Sequence, residues 1–499
     1  MKPFPVRRLI AVTVLTLVAT VLAPSTAQGA SARPSAPLSW GPCPASVGAP
    51  GLQCALLQVP LDYSNPGGQS IQIALSRKAH TSPDFKGVIL TNPGGPGAQG
   101  RALPAYLSRA VPGNVGAKYD WIGMDIRGVG GSIPSLHCDG RYFNPRRPPN
   151  APSTNAIMTK WLNRSRAFAQ SCARSAGAVL LPHMDSQTIA KDAESVRQAL
   201  GVAQLNIFGF SYGTYLAQVY ATLFPGNTGK IVMDGVVDPE RVWYGSNLDQ
   251  EVAFNRNLNV FWRYLANHPR AFKLGRNANK IKRGYYRKLR QLTRKPMRNF
   301  GAAEFNDSLI EAGYYVFNWP SLGQAYSSFI RRNRPGGLFA AYARNNMGDD
   351  NMYAVYLAVQ CTDGAWPTQP QMLADARVMH RRSPFMAWSN TWYNAPCLTW
   401  PAPIAPRAAV NGAGLSQNVL LISETLDAAT PFSGALRAKQ LFPTASLIEG
   451  VGGTTHAGSL SGVACVDKAI ATYLESGAVP ARGGGGADLR CPRIPPPTP

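Results

Sequence analysis

Residues 205–224 constrain the fold more than any other stretch of the chain. Leu205-Asn206-Ile207-Phe208 is a short apolar run, and Gly209-Phe210-Ser211-Tyr212-Gly213 follows it directly. Thr214 to Phe224 then has helical character until Pro225-Gly226 stops it. The reading is strand, tight turn, helix, with a serine at the apex. Glycines flank the apex because neighbouring β-carbons would collide there. The helix N-terminus behind Ser211 favours negative charge at that point.

Other segments repeat this character. Gly87–Thr91, Trp121–Asp125, Gln204–Gly209, Lys230–Asp234 and Asn418–Ser423 are short apolar runs, each ending in a turn that bears Gly, Pro or Asp. Runs of that length suit strands buried on both faces of a parallel sheet. Residues 55–61 and 70–77 alternate and are joined by Asn65-Pro66-Gly67-Gly68, which predicts a hairpin. Ile189, Ala193, Val196 and Leu200 share a helical face that ends at Gly201, a C-cap position. The expected fold class is α/β, a mostly parallel, doubly wound sheet.

Strand signals vanish between about 240 and 405. The expected organisation is a core from 40–240 and 406–491, interrupted by a mostly helical insertion over 241–405. From Val252 to Ala303 there is no acidic residue but fourteen Lys or Arg. That run reads either as a solvated helical face or as a docking surface for an anionic envelope polymer. The Pro-rich tail, 492–499, is expected to be loose beyond Cys491. Gly 48 and Pro 42 show no Gly-X-Y period, which excludes collagen. No apolar run reaches the roughly 18–20 residues of a membrane span, and no fixed-period repeat is present.

Lys2, Arg7 and Arg8 precede the uncharged apolar stretch Leu9 to Ala23, and small residues follow Pro24. This predicts a signal peptide over 1–30, cleaved near Gly29 to Ala32, and hence a secreted, extracellular chain. The net charge of +24 permits anionic partners, but export makes nucleic acid the least expected of them. Eight cysteines in an oxidising compartment read as disulfides. Sequence neighbours are the preferred partners: Cys43 with Cys54, Cys138 with Cys172, Cys361 with Cys397, and Cys465 with Cys491. There is no CxxC and no Cys/His cluster with metal spacing, so neither a metal nor an organic cofactor is expected.

A serine hydroxyl needs a base and a group to orient that base. Elbows of this type use the chain order Ser…Asp…His. Among six histidines, His456 has the right place, in a Gly-rich loop after the apolar run Ala445–Ile448. Asp427 follows the strand Asn418–Ser423, with Glu424 as the rival carboxylate; Asp234 and Asp238 read as structural. Asn92-Pro93-Gly94-Gly95-Pro96-Gly97 offers backbone donors for an oxyanion. Pro96 has no N–H, so the donor is Gly94 or Gly95, and the second is Tyr212.

These motifs occur together in order, with Asp125-Ile126-Arg127-Gly128-Val129-Gly130, Asp234-Gly235-Val236-Val237-Asp238-Pro239, Cys361-Thr362-Asp363 and Thr430-Pro431. Jointly they resemble the secreted tripeptidyl aminopeptidase branch of the α/β-hydrolases, relatives of proline iminopeptidase, over about residues 40 to 491. Two departures lie beside the site: Gly97-Ala98-Gln99-Gly100 in place of the family's Gly-Gly-Ser-Gly, and Thr455 and Ala457 flanking the histidine. The resemblance implies a serine exopeptidase acting on peptides with a free N-terminus, with acidic residues gripping the ammonium group. Glu304, Glu311 and Asp363 are available for that role. The alternatives are a carboxylesterase or amidase on the same fold, and a polymer-binding protein with vestigial hydrolysis.

Overall fold

The computed structural model describes residues 38–348 and 350–499; the expected signal peptide lies outside the described residues. Among these, ten strands form one sheet: β1 (Gly41–Pro42), β2 (Gln53–Pro60), β3 (Ser70–Lys78), β4 (Val88–Asn92), β5 (Asp120–Asp125), β6 (Leu205–Phe210), β7 (Thr228–Asp234), β8 (Val419–Glu424), β9 (Ala445–Val451) and β10 (Leu489–Pro492). Their order is β1-β2-β3-β5-β4-β6-β7-β8-β9-β10. The first three steps, β1 to β5, are antiparallel, and every later pair is parallel.

The strand side chains show why the sheet is covered on both faces. Leu205 and Ile207 of β6 pack with Ile189, Val196 and Val219 from the helices Ser186–Ala199 and Tyr212–Leu223. Phe208 and Phe210, of the opposite parity, pack with Leu107, Ile470 and Leu474. Each fully buried side chain of this size contributes roughly 1.5–3 kcal/mol.

Between β7 and β8 the described elements are helical. They have a core of their own, in which Trp262, Tyr285, Phe305, Tyr326 and Phe329 are buried together with Ala428, Ala429 and Ile494. The helical layer is thereby seated on the loop after β8, which carries Asp427. Its helix Ala278–Arg294 buries Ile281, Gly284, Tyr285 and Leu292, which leaves the basic residues on the outer side.

The tail differs from the expectation of looseness. Pro492 completes β10 beside β9, Ile494 is buried, and the Tyr264 hydroxyl donates to Pro497 O at 2.8 Å. Proline forbids only an N–H donation, so a parallel edge strand and one well-placed isoleucine hold a Pro-rich segment down. The four disulfides join the neighbouring cysteines named above. Among the described residues no helix is long and apolar enough to cross a membrane.

Candidate active site

Ser211 lies between β6 and the helix Tyr212–Leu223 with φ 53° and ψ −121°, a conformation that costs a non-glycine residue roughly 1–3 kcal/mol. The surroundings impose it. The Ser211 N–H donates to Asp234 O at 3.0 Å, and the Thr214 hydroxyl donates to Ser211 O at 2.7 Å. The glycines of the pentapeptide are close-approach positions. A β-carbon on Gly209 would lie 2.3 Å from Gly213 O, and one on Gly213 would lie 2.6 Å from Asn92 O.

His456 and Asp427 come together from the loops after β9 and β8. His456 Nδ1 is 2.8 Å from Asp427 Oδ2 and 3.1 Å from Oδ1. Asp427 also accepts from Ala429 N–H at 2.9 Å, Thr430 N–H at 3.1 Å and the Thr430 hydroxyl at 2.8 Å. With Nδ1 facing the carboxylate, Nε2 is the ring atom left for chemistry. The His456 N–H donates to Tyr314 O at 2.7 Å, and the Tyr314 ring stands edge-on at 5.7 Å. Burial lowers the imidazole pKa, but the charge and hydrogen bond of Asp427 more than reverse this and hold it above its ordinary value. Ser211, Tyr212, Gly95, Tyr314 and His456 line one cavity of about 690 Å³.

Glu424 is not the partner of His456. Its carboxyl lies beneath Gly453, where a β-carbon would fall 1.1 Å from Oε2, and it accepts from Ile494 N–H at 3.4 Å. Asp234 accepts from Ser459 N–H at 2.7 Å and so holds the loop beyond His456. Asp238, read as structural, lines the cavity.

The Gly94 N–H donates to Asn92 Oδ1 at 2.8 Å, and of the two glycines expected at the oxyanion it is Gly95 that lines the cavity. Gly94 serves another purpose. With φ +97°, it touches the elbow so closely that a β-carbon would lie 2.6 Å from Phe210 O and 2.8 Å from Ser211 Cβ.

The three acidic residues expected at the substrate's amine separate. Glu304 is fully buried, accepts from Gly301 N–H and Arg147 N–H, and does not line the cavity. Asp363 is also buried away from the cavity, among donors from Ser186 and Trp243. Glu311 does line it. Thr430, Tyr314 and Asp307 belong to the site without having been singled out for it; Thr430 had a signal, since a threonine three residues after an aspartate can close on its carboxylate. Among the described residues no cluster of three or more His, Cys, Asp or Glu is set to hold a metal ion.

A buried acid nearby bears on stability. Burial pushes the Glu251 carboxyl up to about 9, and its Oε2 has no hydrogen-bond partner among the described residues. Its folded pKa lies above its unfolded one, so the stability it contributes is complete below about pH 4 and is lost as pH rises toward 9. Glu251→Gln is therefore expected to stabilise the fold by at least about 1 kcal/mol at pH 8.5, and to do nothing at pH 4. Thermal unfolding at both pH values checks this, and an equal effect at both would refute it.

Two family profiles match the chain, one described as alpha/beta hydrolase fold over residues 87–377 and one described as TAP-like protein over residues 383–486. The chain is 34% identical to Tripeptidyl aminopeptidase of Streptomyces lividans over 89% of this chain and 86% of that one. It is 32% identical to Carboxylesterase B of Mycobacterium tuberculosis (strain ATCC 25618 / H37Rv), over 96% and 95%. It is 29% identical to Serine protease Hip1 of the same organism, over 90% of each chain.

Proposed function

This chain belongs to the tripeptidyl aminopeptidase-like family of the α/β-hydrolases and is a hydrolase, and on that premise we propose that it releases short peptides from free N-termini through an acyl-enzyme on Ser211. The Ser211 hydroxyl attacks the scissile carbonyl while His456 Nε2 takes its proton. The N–H groups of Gly95 and Tyr212 receive the oxyanion. The imidazolium then protonates the leaving amine, and water repeats the sequence to free the acyl group. Asp427 keeps the proton on Nδ1 and offsets the charge that forms on the ring.

The observation that carries the aminopeptidase reading is Glu311. It lies three residues before Tyr314, whose carbonyl accepts the His456 N–H, so its position is tied to the catalytic loop. Its donors are neutral amides, Asn318 Nδ2 at 2.5 Å and Asn345 Nδ2 at 3.4 Å, and the Arg344 guanidinium stands off at 3.9 Å, largely exposed. Asp307, in contrast, is occupied by Arg147 Nη2 at 2.7 Å. A carboxylate held by amides in a substrate cavity suits an ammonium group, and a substrate without an amine has no use for it.

The test is hydrolysis of chromogenic peptides that differ only in a free or acetylated N-terminus. Free-amine peptides are expected to be the substrates, and Glu311→Gln is expected to raise their KM by about 10–100-fold, the loss of one charge-assisted contact. Equal cleavage of acetylated peptides or simple esters would instead favour the carboxylesterase reading, which the likeness to Carboxylesterase B supports. The four disulfides support export to an oxidising compartment. The basic outer face of Ala278–Arg294 supports docking to an anionic envelope polymer.

A further inference from the structure

Tyr212 is anchored at its far end by a chain of buried polar groups. Its hydroxyl is 3.0 Å from Ser186 Oγ. The Ser186 hydroxyl donates to Asp363 Oδ2 at 2.7 Å, and the Ser186 N–H donates to Oδ1 at 2.5 Å. The Trp243 indole N–H donates to the same Oδ2 at 2.9 Å, and its ring lies 5.9 Å from that of Tyr212. All four residues are buried.

The carboxylate sets the direction of this chain. Ser186 has one hydroxyl proton, and Asp363 takes it. The Tyr212 hydroxyl must then be the donor to Ser186 Oγ, and it is held in one orientation. Four elements meet at this point. Asp363 caps the insertion helix Asn351–Thr362, Ser186 begins a core helix, Trp243 precedes the helix Tyr244–Asn267, and Tyr212 begins the elbow helix. The Cys361–Cys397 disulfide holds the insertion helix of this junction two residues upstream of Asp363.

We propose that Asp363 is a positioning residue that acts through Ser186 and the Tyr212 hydroxyl to hold the Tyr212 N–H on the oxyanion, so that oxyanion stabilisation depends on the seating of the helical insertion. The proposal rests on the acyl-transfer reading of Ser211. An oxyanion donor is effective only when it is 2.7–3.1 Å from the oxygen in the transition state. A side chain pinned at its outer end fixes the backbone at its inner end. A carboxylate that touches no substrate thereby influences the rate. Burial pushes the Asp363 carboxyl up to about 7, so the carboxylate that fixes the direction of the chain is in place above that pH.

Tyr212→Phe removes one hydroxyl and keeps the ring, and Asp363→Asn removes the charge. Each is compared with wild type for kcat and KM on a chromogenic acyl substrate, for affinity toward a peptide boronic acid that forms a tetrahedral adduct, and for affinity toward the product tripeptide. Both variants are expected to lower kcat by about 10–100-fold with KM within about twofold. Boronate affinity should fall in parallel and product affinity should not change. The double variant should be no worse than the weaker single one, because both act through one chain. Should Asp363→Asn fail to fold, Tyr212→Phe decides by the same readouts. Full activity in Tyr212→Phe, or a rise in KM with kcat retained, overturns the proposal. Activity that survives Ser211→Ala overturns the acyl-transfer reading itself, a different result on a different variant.

Discussion

Ser211→Ala is expected to lower kcat by about 10⁴–10⁶-fold while leaving the fold intact. The backbone of residue 211 is held by main-chain and Thr214 contacts, none of which involves the serine hydroxyl. Alanine has the same β-carbon, so the strain at φ 53° is unchanged, and the unfolding temperature should move little. The only loss is the oxygen that bonds to the acyl carbon. Without it the oxyanion donors and the cavity can still orient a substrate toward water, so a small residual rate remains. Turnover of the free-amine chromogenic peptide measures the loss. Labelling with a fluorophosphonate, followed by mass analysis of the peptide containing residue 211, shows whether the adduct forms on wild type and disappears in the variant. A folded variant that turns over within tenfold of wild type would falsify the nucleophile assignment and the acyl-enzyme with it.

The elbow was legible in the sequence because its determinants are local. A strand period, two glycines and a helix period lie within twenty residues, and the contact that requires Gly209, at Gly213 O, falls within the same turn. The disulfide partners were legible for the same reason, each pair closing a short loop. The contact between Asp427 and His456 was legible through chain order alone. What stayed hidden depends on partners from far along the chain. Glu304 and Glu311 are seven residues apart and look equivalent, but the Arg147 N–H, 157 positions away, occupies the first, and the second opens on the cavity. Gly94 and Gly95 are adjacent and chemically identical, but the side chain of Asn92 takes the N–H of the first and only the second lines the cavity. Asp363 reads as an acid available to the substrate's amine, and only the packing of four elements shows it buried among donors from Ser186 and Trp243. The tail misled by composition, since one isoleucine and one edge pairing outweigh its prolines.

Asp427→Asn is expected to lower kcat by about 10⁴-fold with little change in KM, and the reason lies in which atoms accept. In the native site Asp427 Oδ1 takes the Ala429 and Thr430 N–H groups, while Oδ2 takes the Thr430 hydroxyl and His456 Nδ1–H. An asparagine keeps its oxygen for the two backbone donors, which turns its NH₂ toward His456. The imidazole then accepts at Nδ1 and carries its proton on Nε2, where it can take none from Ser211. The pH profile should change as well. Catalysis needs the neutral ring, and Asp427 holds the imidazole pKa above its ordinary value. The acid limb of kcat/KM in wild type should therefore rise with a midpoint above about 6.5. With the Asp427 charge removed, burial is opposed only by the smaller pull of Asp234, and the limb should move to lower pH. Glu424→Gln is the control, because the rival carboxyl sits beneath Gly453 and not against the imidazole; it should leave kcat within about threefold of wild type, a change of less than roughly 1 kcal/mol. If Glu424→Gln gives the larger loss, or if Asp427→Asn leaves the acid limb where it was, the carboxylate that orients His456 is not Asp427.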